Sequence, residues 1–245
     1  ATPGEKRLSR GLRALYPAYS PDGQWIAFVR NAGTNNNLGL MRADGSDIRY
    51  LTDFNDGTQI YSPRFSPDGR SIAFSLARSG QRDIVLLRID AAERRLASTE
   101  DVLPGMGGEL EMLVATPGTD RDPAWSRDGK YLYFSSDQSG IFNIYKLELA
   151  TGRSVQISNV LGGAFNPAPG DDGQVYFSAY AQSGFQIRKI AGVGGAVDLP
   201  QRNESSALSA LRTPSVQPFA ASQPYGTDFL KTSLLPRLSI DEGRF

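Results

Sequence analysis

A twelve-residue pattern recurs along this chain of 245 residues and restricts its fold more than any other feature. It runs Pro17-Ala18-Tyr19-Ser20-Pro21-Asp22-Gly23-Gln24-Trp25-Ile26-Ala27-Phe28 and returns from Pro63 to Phe74 and from Pro123 to Phe134. A fourth, shorter copy runs from Pro167 to Phe177. In the first copy Pro21 presets φ at the first corner of a turn, Asp22 can accept from nearby backbone N–H groups, and Gly23 is free to take φ > 0. After the turn, Trp25, Ala27 and Val29 fall on one face of a strand and Ile26 and Phe28 on the other. Apolar residues on both faces mark a strand sandwiched between two sheets. The turn aspartates Asp22, Asp68, Asp128 and Asp172 lie 46, 60 and 44 residues apart. With an insertion over 91–111 set aside, the period is that of a four-stranded propeller blade, about 40–45 residues.

The expected fold is all-β, a β-propeller of four-stranded antiparallel blades, with about four blades visible and the whole forming part of a larger propeller. Blades are expected over 16–52, 62–116, 122–158 and 164–199, within a propeller region 1–199. In the first, the strands are placed at 16–20, 24–30, 38–43 and 48–52, with a polar loop at 31–37 and an Asp44-Gly45 hairpin. In the second, the insertion carries Pro104-Gly105-Met106-Gly107-Gly108 and delays the last strand to 112–116. The fourth ends on a strand at 196–199 after the Gly192–Gly195 turn. Residues 5–9 are expected as the last strand of a preceding blade, and 200–245 as an extended linker and C-terminal arm.

Composition narrows the chemistry. Lys plus Arg and Asp plus Glu are both 26, so no bulk charge favours nucleic acid or an anionic membrane, and a protein or small-molecule partner is expected. Cysteine is absent, which removes disulfides and thiolate nucleophiles. Histidine is absent too, which removes the commonest general base and the commonest transition-metal ligand, and with it any Ser-His-Asp triad within the chain. No apolar run reaches the length of a membrane-spanning helix, and Ala1–Arg7 lacks the apolar core of a signal peptide.

The repeat, with Asn143-Ile144-Tyr145 and Thr151-Gly152 in its third copy, resembles the TolB-like family of WD-like propeller blades. Such blades also stand beside the catalytic domains of prolyl-oligopeptidase-type and tricorn-type proteases. The resemblance covers roughly 5–199 and implies a periplasmic or outer-membrane-associated bacterial protein. The fourth copy departs from the family pattern with Gly170-Asp171 where Ser-Pro is usual. A second resemblance, carried by Asn159–Pro167, Tyr225 and Leu234-Leu235-Pro236-Arg237, is to envelope proteins in which such a propeller precedes a surface-antigen-type outer-membrane barrel. It implies that 239–245 stand just before the barrel's first strand.

Single motifs weigh little against this frame. One Asp per turn is what a hairpin requires, so no calcium site is expected. The glycine clusters lack a following Lys-Ser/Thr, and Ser79-Gly80, Ser139-Gly140 and Ser183-Gly184 recur as turns and do not form a nucleophile elbow. Tyr19, Phe65 and Trp125 occupy one repeat position and are expected as inter-blade core. No catalytic residue, metal or cofactor is expected.

The loops leading into each innermost strand gather at one mouth of a propeller and differ between blades, so partner-binding residues are expected there: Arg13, Tyr16, Gln59, Tyr61, Arg121, Asp122, Phe165 and Asn166. Tyr225, Phe229, Leu234, Leu235 and Arg237 make the C-terminal arm apolar enough to need a partner. The reading is a non-enzymatic, protein- or peptide-binding propeller beside an outer-membrane protein. The alternative is the substrate gate of a serine peptidase whose catalytic domain lies outside this chain. A polysaccharide lyase is disfavoured by the lack of histidine.

Overall fold

In the computed structural model the described residues are 4–89 and 110–190, with the backbone of 197–198. All belong to the first of the two units into which the chain divides, Ala1–Asn203. Most of the insertion, the Gly192–Gly195 turn and the arm from Tyr225 to Arg237 lie outside the described residues.

The described residues hold strands and turns and no helix. The first sheet orders β1 (Ala14–Tyr19), β2 (Trp25–Ala32), β3 (Asn35–Arg42) and β4 (Arg49–Tyr50) in sequence. The second orders β5 (Gln59–Phe65), β6 (Ser71–Arg78), β7 (Gln81–Arg88) and β8 (Leu110–Val114) in the same way. A third holds β9 (Asp120–Trp125), β10 (Tyr131–Ser136), β11 (Asn143–Glu148) and β12 (Arg153–Gln156), and a fourth holds β13 (Ala164–Pro169), β14 (Val175–Ala181) and β15 (Gly184–Ile190). Every pair is antiparallel, so each sheet is one propeller blade, a meander counted outward from its innermost strand.

Three placements differ from the sequence-based expectation. The polar loop at 31–37 is a two-residue hairpin at Gly33-Thr34, because Arg30, Asn31 and Ala32 continue the ladder opposite Asn37, Asn36 and Asn35. Residues 5–9 form no strand. Instead Leu8, with Leu12 and Ala14, packs on Ile26, Phe28 and Met41, the apolar face of blade 1 turned away from blade 2. The strand expected at 196–199, β16 (Val197–Asp198), pairs with β12, Val155 opposite Asp198, and not with β15 of its own repeat.

The repeated turn owes its residues to a small hydrogen-bond system. Ser66 Oγ donates to Asp68 Oδ1 at 2.6 Å and accepts from the Ser71 N–H at 3.0 Å, while the Arg70 N–H donates to Asp68 Oδ1 at 3.0 Å. Ser126, Asp128, Lys130 and Tyr131 repeat the arrangement at 2.7, 3.1 and 2.9 Å, as do Ser20, Asp22, Gln24 and Trp25. Glycine 69 is held at φ +69°, a left-handed value that suits a residue without Cβ. Where the fourth copy has Gly170 in place of serine, the Tyr176 hydroxyl donates to Asp172 at 2.9 Å and the turn keeps its shape. A second system ties third to fourth strands in blades 1 and 3. Asn37 Oδ1 accepts from Thr52 Oγ1 and the Phe54 N–H, and Asn143 Oδ1 accepts from Ser158 Oγ and the Val160 N–H.

The cores lie between blades. Ala27, Val29, Leu38 and Leu40 of blade 1 meet Ile72, Phe74, Val85 and Leu87 of blade 2. Ala73, Ile84 and Leu86 of blade 2 meet Leu132, Phe134, Tyr145 and Leu147 of blade 3, and Tyr133 and Ile144 of blade 3 meet Val175, Phe177 and Ala179 of blade 4. The two faces of each central strand thus serve two different cores, as the doubly apolar pattern requires. Phe65 and Trp125 sit in these inter-blade cores, Trp125 with Nε1 donating to the Arg64 carbonyl of blade 2 at 3.1 Å. Tyr19 does not: it is 61% exposed, because its position faces the preceding blade and none of the described residues supplies one there.

Candidate partner-binding mouth

The innermost strand of each blade carries the same irregularity. Pairing with the second strand slips between Leu15 and Ala18, between Tyr61 and Arg64, between Arg121 and Ala124, and between Phe165 and Ala168. Each slip holds an X-Pro pair, and X takes a left-handed backbone: Tyr16 at φ 52°, Ser62 at 51°, Asp122 at 58° and Asn166 at 51°. Proline cannot donate to a ladder, so an innermost strand, paired on one side only, is where it is tolerated, and the bulge absorbs it. The extra residue re-aims its side chain inward. Ser62, Asp122 and Asn166, with the residues after them, line a half-open cavity of about 520 Å³ along β5, β9 and β13.

Where the innermost strands begin, aromatic and guanidinium side chains form two runs of contacts, one across blades 1 and 2 and one across blades 3 and 4. Tyr16 meets Tyr61 edge-on at 6.1 Å between centroids, and the Arg82 guanidinium lies 4.2 Å over the Tyr61 ring. Arg121 Nε donates to Asp122 Oδ2 at 2.9 Å, and the same guanidinium lies 5.8 Å from the Phe142 ring and 5.6 Å from that of Phe165. Phe165 then contacts Phe142 at 5.1 Å and Phe185 at 6.2 Å, and Phe185 contacts Tyr180 at 5.1 Å. Burial, and then the like charge of Arg121, push the Arg82 guanidinium below its usual range, with Asp122 opposing. Just inside, Asp120 is fully buried and accepts from the Thr116 N–H at 2.9 Å and Thr116 Oγ1 at 3.0 Å. Burial pushes its carboxyl up to about 6.

Of the residues expected at the mouth, Tyr16 meets Tyr61 in the first run, Arg121 meets Asp122 and Phe165 in the second, and Asn166 faces the cavity. Gln59 does not join them, because its amide is taken up by the carbonyls of Thr34 and Gly57 between blades 1 and 2. Arg13 is held by its backbone, its carbonyl accepting from the Asn31 N–H at 3.2 Å. Arg82, Phe142, Phe185 and Tyr180 escaped the sequence reading. They flank the hairpins between second and third strands, which open at the same end of the blade as the loops entering the innermost strand: Arg78 pairs with Gln81 beside Gln59 and Ala77. The recurrent Ser-Gly dipeptides mark those hairpins and could have found them. The turn aspartates are engaged as described above, and among the described residues no three or more His, Cys, Asp or Glu gather as a metal site.

Known proteins repeat this architecture. The family described as the TolB beta propeller domain matches residues 8–218. A Tol-Pal system protein TolB of Francisella tularensis subsp. tularensis is 40% identical over 52 residues, which make 21% of this chain and 12% of that protein. The crystal structure of TolB from Acinetobacter baumannii superposes with a TM-score of 0.56 at 20% identity, covering 76% of this chain and 43% of that one. A puromycin-hydrolyzing peptidase of Mycobacterium tuberculosis superposes with a TM-score of 0.55 at 18% identity, covering 77% of this chain and 31% of the other. This chain therefore spans only part of each, and the two structural likenesses concern the fold.

Proposed function

Because this chain belongs to the TolB beta propeller domain family, we propose that it is a non-enzymatic binding propeller of the bacterial cell envelope, holding a protein or peptide at the mouth formed by Tyr16, Tyr61, Arg82, Arg121 and Phe165. The observation that carries this reading is the pair of runs of aromatic rings and guanidinium groups, one across blades 1 and 2 and the other across blades 3 and 4. Aromatic and arginine side chains are the usual anchors of protein interfaces, since they offer large contact areas with few torsions to freeze. The cavity along β5, β9 and β13 offers room for an extended segment. In this reading the protein is periplasmic or outer-membrane associated. The arm residues Tyr225, Phe229, Leu234, Leu235 and Arg237 serve a neighbouring outer-membrane protein.

The test is selection of a displayed peptide library on the purified chain. Sequences selected against it should lose roughly tenfold or more in affinity for Phe165→Ala and Arg121→Ala, and none for Lys189→Ala on the outer strand of blade 4. Selected peptides that bind all variants alike would remove the mouth from the proposal. The peptidase-gate alternative shares only a fold with the Mycobacterium enzyme. It predicts that no sequence is selected at all, because a gate admits chains without retaining them.

A further inference from the structure

We infer that Arg82 and Arg121 form a carboxylate-binding site at this mouth, so that the ligand is a peptide with an acidic side chain or a free C-terminus placed against Arg82. The inference rests on the peptide-binding reading above and specifies its ligand. Both guanidinium groups lie in the field of one carboxylate, and only one of them pairs with it. Asp122, 6% exposed, is engaged by Arg121 Nε at 2.9 Å. Arg82 has no ion pair among the described residues, and its Nε is buried without a hydrogen-bond partner. A buried donor left unmade costs the desolvation of that group, and more for a charged one, so a native structure that keeps such a donor calls for a partner.

The surroundings define what that partner is. The Arg82 Cζ lies 4.2 Å over the Tyr61 ring, with the Tyr16 ring beyond it. A guanidinium donates through the N–H groups in its own plane, a fork that matches the two oxygens of a carboxylate. The apolar continuation is Phe142 and Phe165, both within 6 Å of the Arg121 guanidinium. An acidic residue flanked by apolar ones therefore fits the site better than a free inorganic anion, which would use the charge and leave the rings idle.

The experiment uses the intact chain labelled with ¹⁵N-arginine and three fluorescein-labelled peptides of one sequence, carrying a central glutamate, the matching glutamine, or that glutamine with a free in place of an amidated C-terminus. The glutamate or the free-carboxyl peptide should bind roughly ten- to a hundredfold more tightly than the amidated glutamine peptide, and Arg82→Gln should erase the difference. Which of the two binds identifies the source of the carboxylate. The Arg82 Nε–H resonance should shift on addition of that peptide, a readout that needs no variant and survives any misfolding of Arg82→Gln. Equal binding of all three peptides, or an unmoved Arg82 resonance with the peptide bound, overturns the proposal. Library-selected peptides that depend on Phe165 and ignore Arg82→Gln would refute the carboxylate site and leave the peptide-binding mouth standing. If mouth substitutions affect no ligand at all, the broader reading fails with it.

Discussion

A carboxyl group in the interior of a small blade is held at a cost that depends on pH, and Asp120 is the instance here. Burial raises its folded-state value to about 6 from 3.8, the repulsion of Asp83 adds to this, and hydrogen bonds from Ser136 and Thr116 oppose it. The folded chain thus binds this proton more tightly than the unfolded chain. The stabilisation is complete below pH 3.8 and is lost as the pH rises through 6. Urea unfolding at a series of pH values should show Asp120→Asn gaining on the parent above pH 6, by on the order of 2–3 kcal/mol. The turn carboxylates Asp128 and Asp172 are shifted the other way, by bonds from Ser126 and from the Gln174 N–H respectively. The difference between the two proteins isolates Asp120 from them. None of this could be read from the sequence, where Asp120 is one acid among many; its state follows from a burial that only the packed blades create.

At the scale of the element, the turn and the bulge differ in how plainly their residues announce them. Ser-Pro-Asp-Gly is legible because its chemistry is fixed: a hydroxyl, a carboxylate and a left-handed corner each have one job. Ser66→Ala should therefore cost about 1–3 kcal/mol by leaving the buried Ser71 N–H without its acceptor, and thermal melting should show the loss. The bulges were not legible, although they position the mouth. Tyr16, Ser62, Asp122 and Asn166 share no side-chain chemistry, and a residue before proline ordinarily avoids the α regions of φ,ψ space, so a left-handed residue there goes against local preference. What holds them is the ladder on either side, in register beyond the slip in every blade. The same limit hid Arg82: it is an ordinary strand residue until the neighbouring blade brings Asp122 and Arg121 beside it.

At the scale of the whole molecule, the first and fourth of the described blades differ in cover. Leu38, Ile84 and Ile144 occupy one position of the third strand and are fully buried against the blade that follows. Their counterpart in blade 4, Ile187, is 76% exposed, with Phe185 at 70% and Tyr180 at 50% beside it. Three exposed large apolar side chains on one sheet face make a patch that favours association. Light scattering at rising concentration should detect self-association of the chain, and Ile187→Lys should reduce it. On blade 1, Leu8, Leu12 and Ala14 lie over Ile26, Phe28 and Met41, while Tyr19 stays exposed on that side. A contact joining the bare face of one copy to Ile26, Phe28 and Met41 of the next would have to peel that segment away. Bare face against bare face is one way for the described residues to bury these side chains, and such a contact is isologous, so it closes after two copies where a head-to-tail contact would continue.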